Sequence, residues 1–208
     1  MNILFATSEC APFIKTGGLA DVAGSLPQAL AKEGHQVTVI LPLYQGVSQF
    51  WRDQMTFLKY FNVSLSWRQA YCGLFQLVRE GVTYWFVDNE YYFKRSNIYG
   101  HYDDGERFAY FSRAVVESMG WLNWHPDVLH CNDWHTAVLP MLMKTQYAGR
   151  MQSRMQTLLT IHNIAYQGKF SFEFVQDLLG IDARYYTPEF MELNGCANLL
   201  KAGCVFAD

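Results

Sequence analysis

Short apolar runs, each followed by a stretch of helical spacing, leave this chain few folds to choose from. Asn2-Ile3-Leu4-Phe5-Ala6-Thr7-Ser8, Val37-Thr38-Val39-Ile40-Leu41, Asp127-Val128-Leu129-His130-Cys131 and Gln156 to His162 each read as a strand. Val22 to Glu33, Glu106 to Met119 and Thr136 to Tyr147 read as helices, the second through Phe108, Phe111, Val115, Val116 and Met119. Alternation of this kind predicts a mostly parallel sheet with helices on both faces, a Rossmann-like α/β fold. Gly34 ends the first helix well, whereas Pro27 inside it conflicts with helical propensity. The helix is therefore expected to begin near Leu26 or to have irregular first turns.

Between Phe57 and Asp88 the texture changes. Phe61 to Trp67 alternates strictly, and Gly73 to Val78 and Val82 to Val87 flank Arg79-Glu80-Gly81, a hairpin turn. This predicts a small antiparallel β-hairpin insertion. Tyr92 to Gly105 reads as a loop, and Phe172 to Leu179 and Pro188 to Ala207 read as helices. No internal repeat or low-complexity linker interrupts the chain.

With 208 residues, half of them apolar and 16% aromatic, there is ample material for a core. The net charge of −3, with no basic run, argues against nucleic acid as a partner. No apolar stretch approaches the roughly 20 residues of a membrane helix, and the first residues lack the basic flank of a secretory signal. The five cysteines are widely spaced without a C-x-x-C pair, which points to reduced thiols in a cytoplasmic protein. His130 and His135 have poor spacing for a shared metal.

In a sheet of this type ligands sit at the carboxyl ends of the strands. Three polar clusters fall there. The first, Lys15-Thr16-Gly17-Gly18-Leu19-Ala20-Asp21, joins a strand to a helix through a cation and two glycines. It suits a phosphate held by backbone amides, or it is a tight turn that needs glycine for geometry alone. It matches neither G-x-G-x-x-G nor G-x-x-x-x-G-K-[ST]. Lys15 suits a phosphate and Asp21 sugar hydroxyls, unless Asp21 only complements the helix dipole.

The second cluster is Asn132-Asp133-Trp134-His135. Asp133 either caps the next helix or binds hydroxyls, with Trp134 and His135 shaping the pocket. In the third, His162 and Asn163 end a strand. His162 either meets substrate, as partner or acid–base group, or orients a loop. Tyr166 offers a flat surface and Gln167 an amide, both useful to sugars. Tyr91, Tyr92, Phe93 and Tyr99 are able to stack on a sugar, but taken singly each reads better as core.

These motifs, in this order, resemble the bacterial glycogen synthases and plant starch synthases. The resemblance rests on Ser8-Glu9, Pro12-Phe13, Lys15 to Val22, Pro126-Asp127-Val128 through His135, Thr160 to Gly168, Asn194-Gly195 and Leu200-Lys201-Ala202-Gly203. It runs from Met1 to Asp208 and implies the N-terminal domain, residues 1–208, of a two-domain glycosyltransferase-B fold. The C-terminal nucleotide-sugar-binding domain, with its Glu-Pro-Cys-Gly-type segment, is absent from the chain, so the resemblance implies that the isolated chain is inactive. It further implies retaining transfer of glucose from ADP-glucose to the non-reducing end of an α-1,4-glucan such as glycogen, without metal or cofactor.

By that resemblance Lys15 and the Gly17 and Gly18 amides face the donor phosphates. Asp21 and His162 address the donor glucose as the catalytic pair, and Asp133 and Asn163 line the sugar pocket. Phe93 falls in the loop where the family places an aromatic against substrate. Two other readings remain open: a non-catalytic half-domain that binds glucan, and an unrelated Rossmann oxidoreductase, the latter weakened by the missing dinucleotide fingerprint.

Overall fold

Seven strands make the central sheet: β1 (Asn2–Ala6), β2 (Gln36–Pro42), β3 (Thr56–Leu65), β4 (Arg68–Arg79), β5 (Val82–Asp88), β6 (Val128–Asn132) and β7 (Gln156–Thr160). The computed structural model describes residues 1–150 and 154–208. The strand order is β3-β4-β5-β2-β1-β6-β7. β5, β2, β1, β6 and β7 run parallel, while β3 and β4 are antiparallel additions at one edge. The expected mostly parallel α/β fold is the one observed. The hairpin is no separate insertion, however, because β5 pairs with β4 on one side and β2 on the other. Leu4, Phe5, Val39, Ile40, Leu41 and Leu129 are fully buried, as strands covered on both faces require.

Helix α1 (Gly18–Lys32) runs unbroken through Pro27, so neither expectation for its start is met. Proline removes the amide that would reach the Ala23 carbonyl four residues back. The buried Cys10 thiol stands in its place, 3.3 Å from that oxygen and equally far from the Ala11 carbonyl, which shares its one proton. Burial pushes the Cys10 pKa up to about 12, which keeps the donor proton on the sulfur.

The predicted loop Tyr92–Gly105 opens within a short helix, α3 (Glu90–Phe93), which follows α2 (Gln49–Arg52) and precedes α4 (Asp104–Trp121). Helix α5 (Val138–Lys144) is shorter than its apolar stripe suggested. Helix α6 (Phe172–Leu179) has the predicted bounds, with Ser171 Oγ accepting the Phe174 amide at its start.

The predicted helix Pro188–Ala207 is helical only in α7 (Leu199–Phe206). Ahead of it, β9 (Glu192–Leu193) and β10 (Cys196–Asn198) form a hairpin, and β8 (Lys169–Phe170) completes a small antiparallel sheet. The hairpin turns at Asn194-Gly195, with φ of 54° and 78°. Two successive left-handed residues suit asparagine and glycine and break a helix.

Candidate functional site

The carboxyl ends of β1, β6 and β7 are adjacent and open onto one cleft of about 840 Å³. Glu9 and the start of α1 form one side, and Asp133 to His135 form the floor. His162, Asn163 and Tyr166 form the next side, and Tyr99, Gly100 and Asp104, from the approach to α4, form the last. Of the candidate residues, Gly17, Gly18, Asp133, His162, Asn163 and Tyr166 meet in this cleft. Lys15, Asp21 and Gln167 are not among its lining residues.

Lys15 and Asp21 are paired with each other. Both carboxylate oxygens of Asp21 lie 2.7 Å from Lys15 Nζ, and both side chains are more than half exposed. The two charges assigned separate tasks by sequence therefore neutralise one another here. Gln167 ties its loop to α7: its Oε1 accepts from Asn198 Nδ2 at 2.8 Å and its backbone carbonyl accepts from the Leu200 amide at 3.1 Å. Gly168 turns the same loop with φ of 62°, and a Cβ there would lie 2.5 Å from the Trp134 ring.

Glu9 was given no role by its sequence context, yet it organises the glycine loop. It is buried, and its Oε2 accepts from the Thr16 amide at 2.5 Å, the Thr16 hydroxyl at 2.9 Å and the Gly17 amide at 3.1 Å. The first part of the anion cradle is thus filled by the protein's own carboxylate. Gly18 and Leu19, in the first turn of α1, line the cleft, and no side chain caps that turn. Uncapped amides at a helix start carry partial positive charge and favour an anion. An acidic residue just past an apolar strand and shortly before Thr-Gly-Gly is the one signal in the sequence that pointed to Glu9.

Asp133 does not act as a helix cap. Its backbone is left-handed, with φ of 55°, and the N-cap of α5 is Ala137. Asp133 Oδ1 instead accepts the amides of His162 at 2.7 Å and Asn163 at 3.1 Å, which joins the β6 and β7 ends. His162 Nε2 lies 2.9 Å from Asn132 Oδ1. The Asn132 amide is oriented by donation from its Nδ2 to the carbonyls of Ala6 and His130. Its oxygen therefore faces the histidine, so Nε2 carries the proton and Nδ1 is the acceptor in the neutral ring.

Of Tyr91, Tyr92, Phe93 and Tyr99, Tyr99 alone lines the cleft. Its hydroxyl lies 2.5 Å from Ser8 Oγ, and its ring stacks on His135 at 4.7 Å. Phe93 is fully buried against Tyr44 and Tyr110, in agreement with the core reading of that aromatic. Burial, with the Arg107 charge second, lowers the His135 pKa to about 3, so this ring is a neutral part of the wall.

The family model described as starch synthase catalytic domain matches residues 2–208. Glycogen synthases of Geobacillus thermodenitrificans and Bacillus subtilis are each 48% identical to this chain over 209 residues, covering all of it and 43% of their own length. The solved catalytic domain of starch synthase IV from Arabidopsis thaliana, bound to ADP and acarbose, matches with a TM-score of 0.89 and 29% identity. That match covers 99% of this chain and 43% of the other. The chain thus spans less than half the length of these relatives.

Proposed function

This chain belongs to the starch synthase catalytic domain family, and on that premise we propose that residues 1–208 are the N-terminal Rossmann-like domain of a glycogen synthase. The reaction is transfer of glucose from ADP-glucose to the non-reducing end of an α-1,4-glucan, with retention at the anomeric carbon. The bond from glucose C1 to the diphosphate breaks, ADP leaves with its electron pair, and C1 bonds to the acceptor hydroxyl oxygen, whose proton is released. The observation that carries this reading is the convergence of the uncapped α1 turn and His162 in one cleft.

The roles follow from position. Negative charge grows on the departing diphosphate, and the amides of Gly18 and Leu19 in the uncapped first turn of α1 stabilise it, the Gly17 amide being held by Glu9. Lys15 adds a cation once its bond to Asp21 is exchanged for one to phosphate, which frees Asp21 to accept from a sugar hydroxyl. His162, held by Asn132, presents a ring nitrogen to the donor sugar. Asp133 in the floor and Asn163 in the adjoining side bound the sugar pocket, and Tyr166, two-thirds exposed, offers the sugar a ring face. Gln167 sets the loop that carries Tyr166. The ADP and acarbose in the Arabidopsis relative support a nucleotide-sugar donor and a glucan acceptor. All five cysteines are unpaired and no helix among the described residues is long and apolar enough to cross a membrane, which supports a cytoplasmic enzyme.

Transfer of labelled glucose from ADP-glucose to glycogen tests the reading. The enzyme extended to its relatives' length is expected to transfer, and residues 1–208 alone are not. In the longer enzyme His162→Ala is expected to lower turnover by about 10²–10⁴-fold, the usual loss for a positioned polar or acid–base group. Glucan binding without transfer by the longer chain would favour the non-catalytic module instead.

A further inference from the structure

In the cleft wall formed by Tyr99, Gly100 and Asp104, the first two belong to a segment, Asn89 to Asp103, whose only regular element is the four-residue α3, and Asp104 opens α4. Such a segment needs its buried carbonyls satisfied from elsewhere. The Gln45 amide serves the Phe93 carbonyl, Arg95 donates to the Tyr91 carbonyl and to Asp103, and a third residue serves two more. Arg107, in the first turns of α4, is fully buried. Its Nε donates to the Tyr92 carbonyl at 2.7 Å, and its Nη1 donates to the Ile98 carbonyl at 3.0 Å and to Asp104 Oδ1 at 2.6 Å. The other oxygen of Asp104 accepts the Gly100 amide at 2.8 Å. The guanidinium lies between the rings of Phe93 and Phe108, at 5.9 Å and 5.5 Å. It is not among the residues that line the cleft.

We propose that Arg107 is a positioning residue for the cleft. Its planar fork gathers both ends of the segment and, through Asp104 and Gly100, sets where the Tyr99 ring stands against Ser8 and His135. The proposal rests on the cleft being the substrate site for its effect on kinetics, but not for its effect on the segment itself. Lysine cannot reproduce the fork, because an ammonium is a point charge whereas three acceptors here are spread around a plane.

Hydrogen exchange on residues 1–208 reads the first effect without any substrate. In Arg107→Lys, the amides from Tyr92 to Asp104 are expected to exchange about tenfold or more faster, the loss of one or two charge-assisted bonds, while amides of β1, β2 and β6 keep their rates. A uniform increase across the whole chain, or no increase in the segment, overturns the proposal. Should Arg107→Lys fail to fold, Asp104→Asn weakens the same link from its outer end and is read by the same exchange pattern. In the longer enzyme Arg107→Lys is expected to raise KM by about tenfold with a smaller change in kcat. Localised exchange with unchanged KM also overturns it, because the wall would then not position a ligand. If exchange localises and wild-type enzyme transfers no glucose, the functional reading fails and the role of Arg107 in ordering the segment stands.

Discussion

His135 and His130 show what burial does to a titratable ring next to a ligand site. Burial lowers both, His135 from 6.5 to about 3 and His130 from 6.5 to about 4, with the charges of Arg107 and His162 as the respective second causes. In the unfolded chain each ring takes up a proton below about pH 6.5. The native state does so only near the lowered values, so the unfolded state binds more protons across that window. Stability is therefore unaffected by these rings above about 6.5 and falls as the pH drops, by up to about 1.4 kcal/mol per pH unit for each ring. The loss levels off below about 4 for His130 and about 3 for His135. Melting temperatures between pH 7 and pH 4 are expected to fall in the wild type and to fall less steeply in His135→Asn. Equal slopes would mean that His135 is protonated in the native state at those pH values. Glu9 teaches a complementary lesson at this scale. Its three donors come from a loop seven residues on, and a sequence shows only that an acid and a glycine pair are near neighbours, not that one fills the other.

The strands were legible because their signal is local and repeated. β2, β6 and β7 lie within a residue or two of their predicted bounds, and α6 matches in full. Where the reading failed, a distant partner decided the outcome. Helix α1 passes through Pro27 with the thiol of Cys10, far back in the chain, in reach of the freed Ala23 carbonyl. β9 and β10 were hidden inside a helical stripe whose Asn194-Gly195 turn overrides periodicity. The candidate site divided in the same way. His162, Asn163 and Asp133 follow strand ends and were found by that rule, whereas Arg107 serves the cleft through backbone contacts that no motif encodes. The compensation at Pro27 is testable as a cycle of two substitutions. Cys10→Ala leaves the Ala23 carbonyl buried without a donor and should cost about 1–3 kcal/mol for the lost bond, beyond any cavity term. Pro27→Ala returns a backbone amide four residues from that carbonyl. Adding it to Cys10→Ala is expected to recover part of the loss, and adding it to the wild type should recover nothing. Strictly additive melting or denaturant data would show that the thiol and the proline are not linked.

At the scale of the whole molecule the chain spans 43% of the length of its bacterial relatives. Lys15 and Asp21 are paired with both side chains more than half exposed, so water screens the pair. Exposed pairs of this kind contribute about 0–1 kcal/mol. Lys15→Gln should therefore leave the melting of residues 1–208 nearly unchanged, within about 0.5 kcal/mol. The same substitution in the longer enzyme meets a different environment. On the proposed reading the lost contact there is a charge-assisted one to a diphosphate, and such contacts are about twice as strong as neutral ones. Catalytic efficiency with ADP-glucose should fall, and Lys15→Arg should restore it only in part, since a planar guanidinium does not follow the path of an ammonium. Asp21→Asn gives the counterpart: it breaks the same pair without removing the cation, so phosphate contact should survive while recognition of the donor glucose suffers. The measurement is paired, melting of residues 1–208 beside steady-state kinetics of the longer enzyme. A large melting shift with unchanged kinetics would make the Lys15–Asp21 pair a structural clasp, and the glycine loop would then lose its cation as a phosphate site.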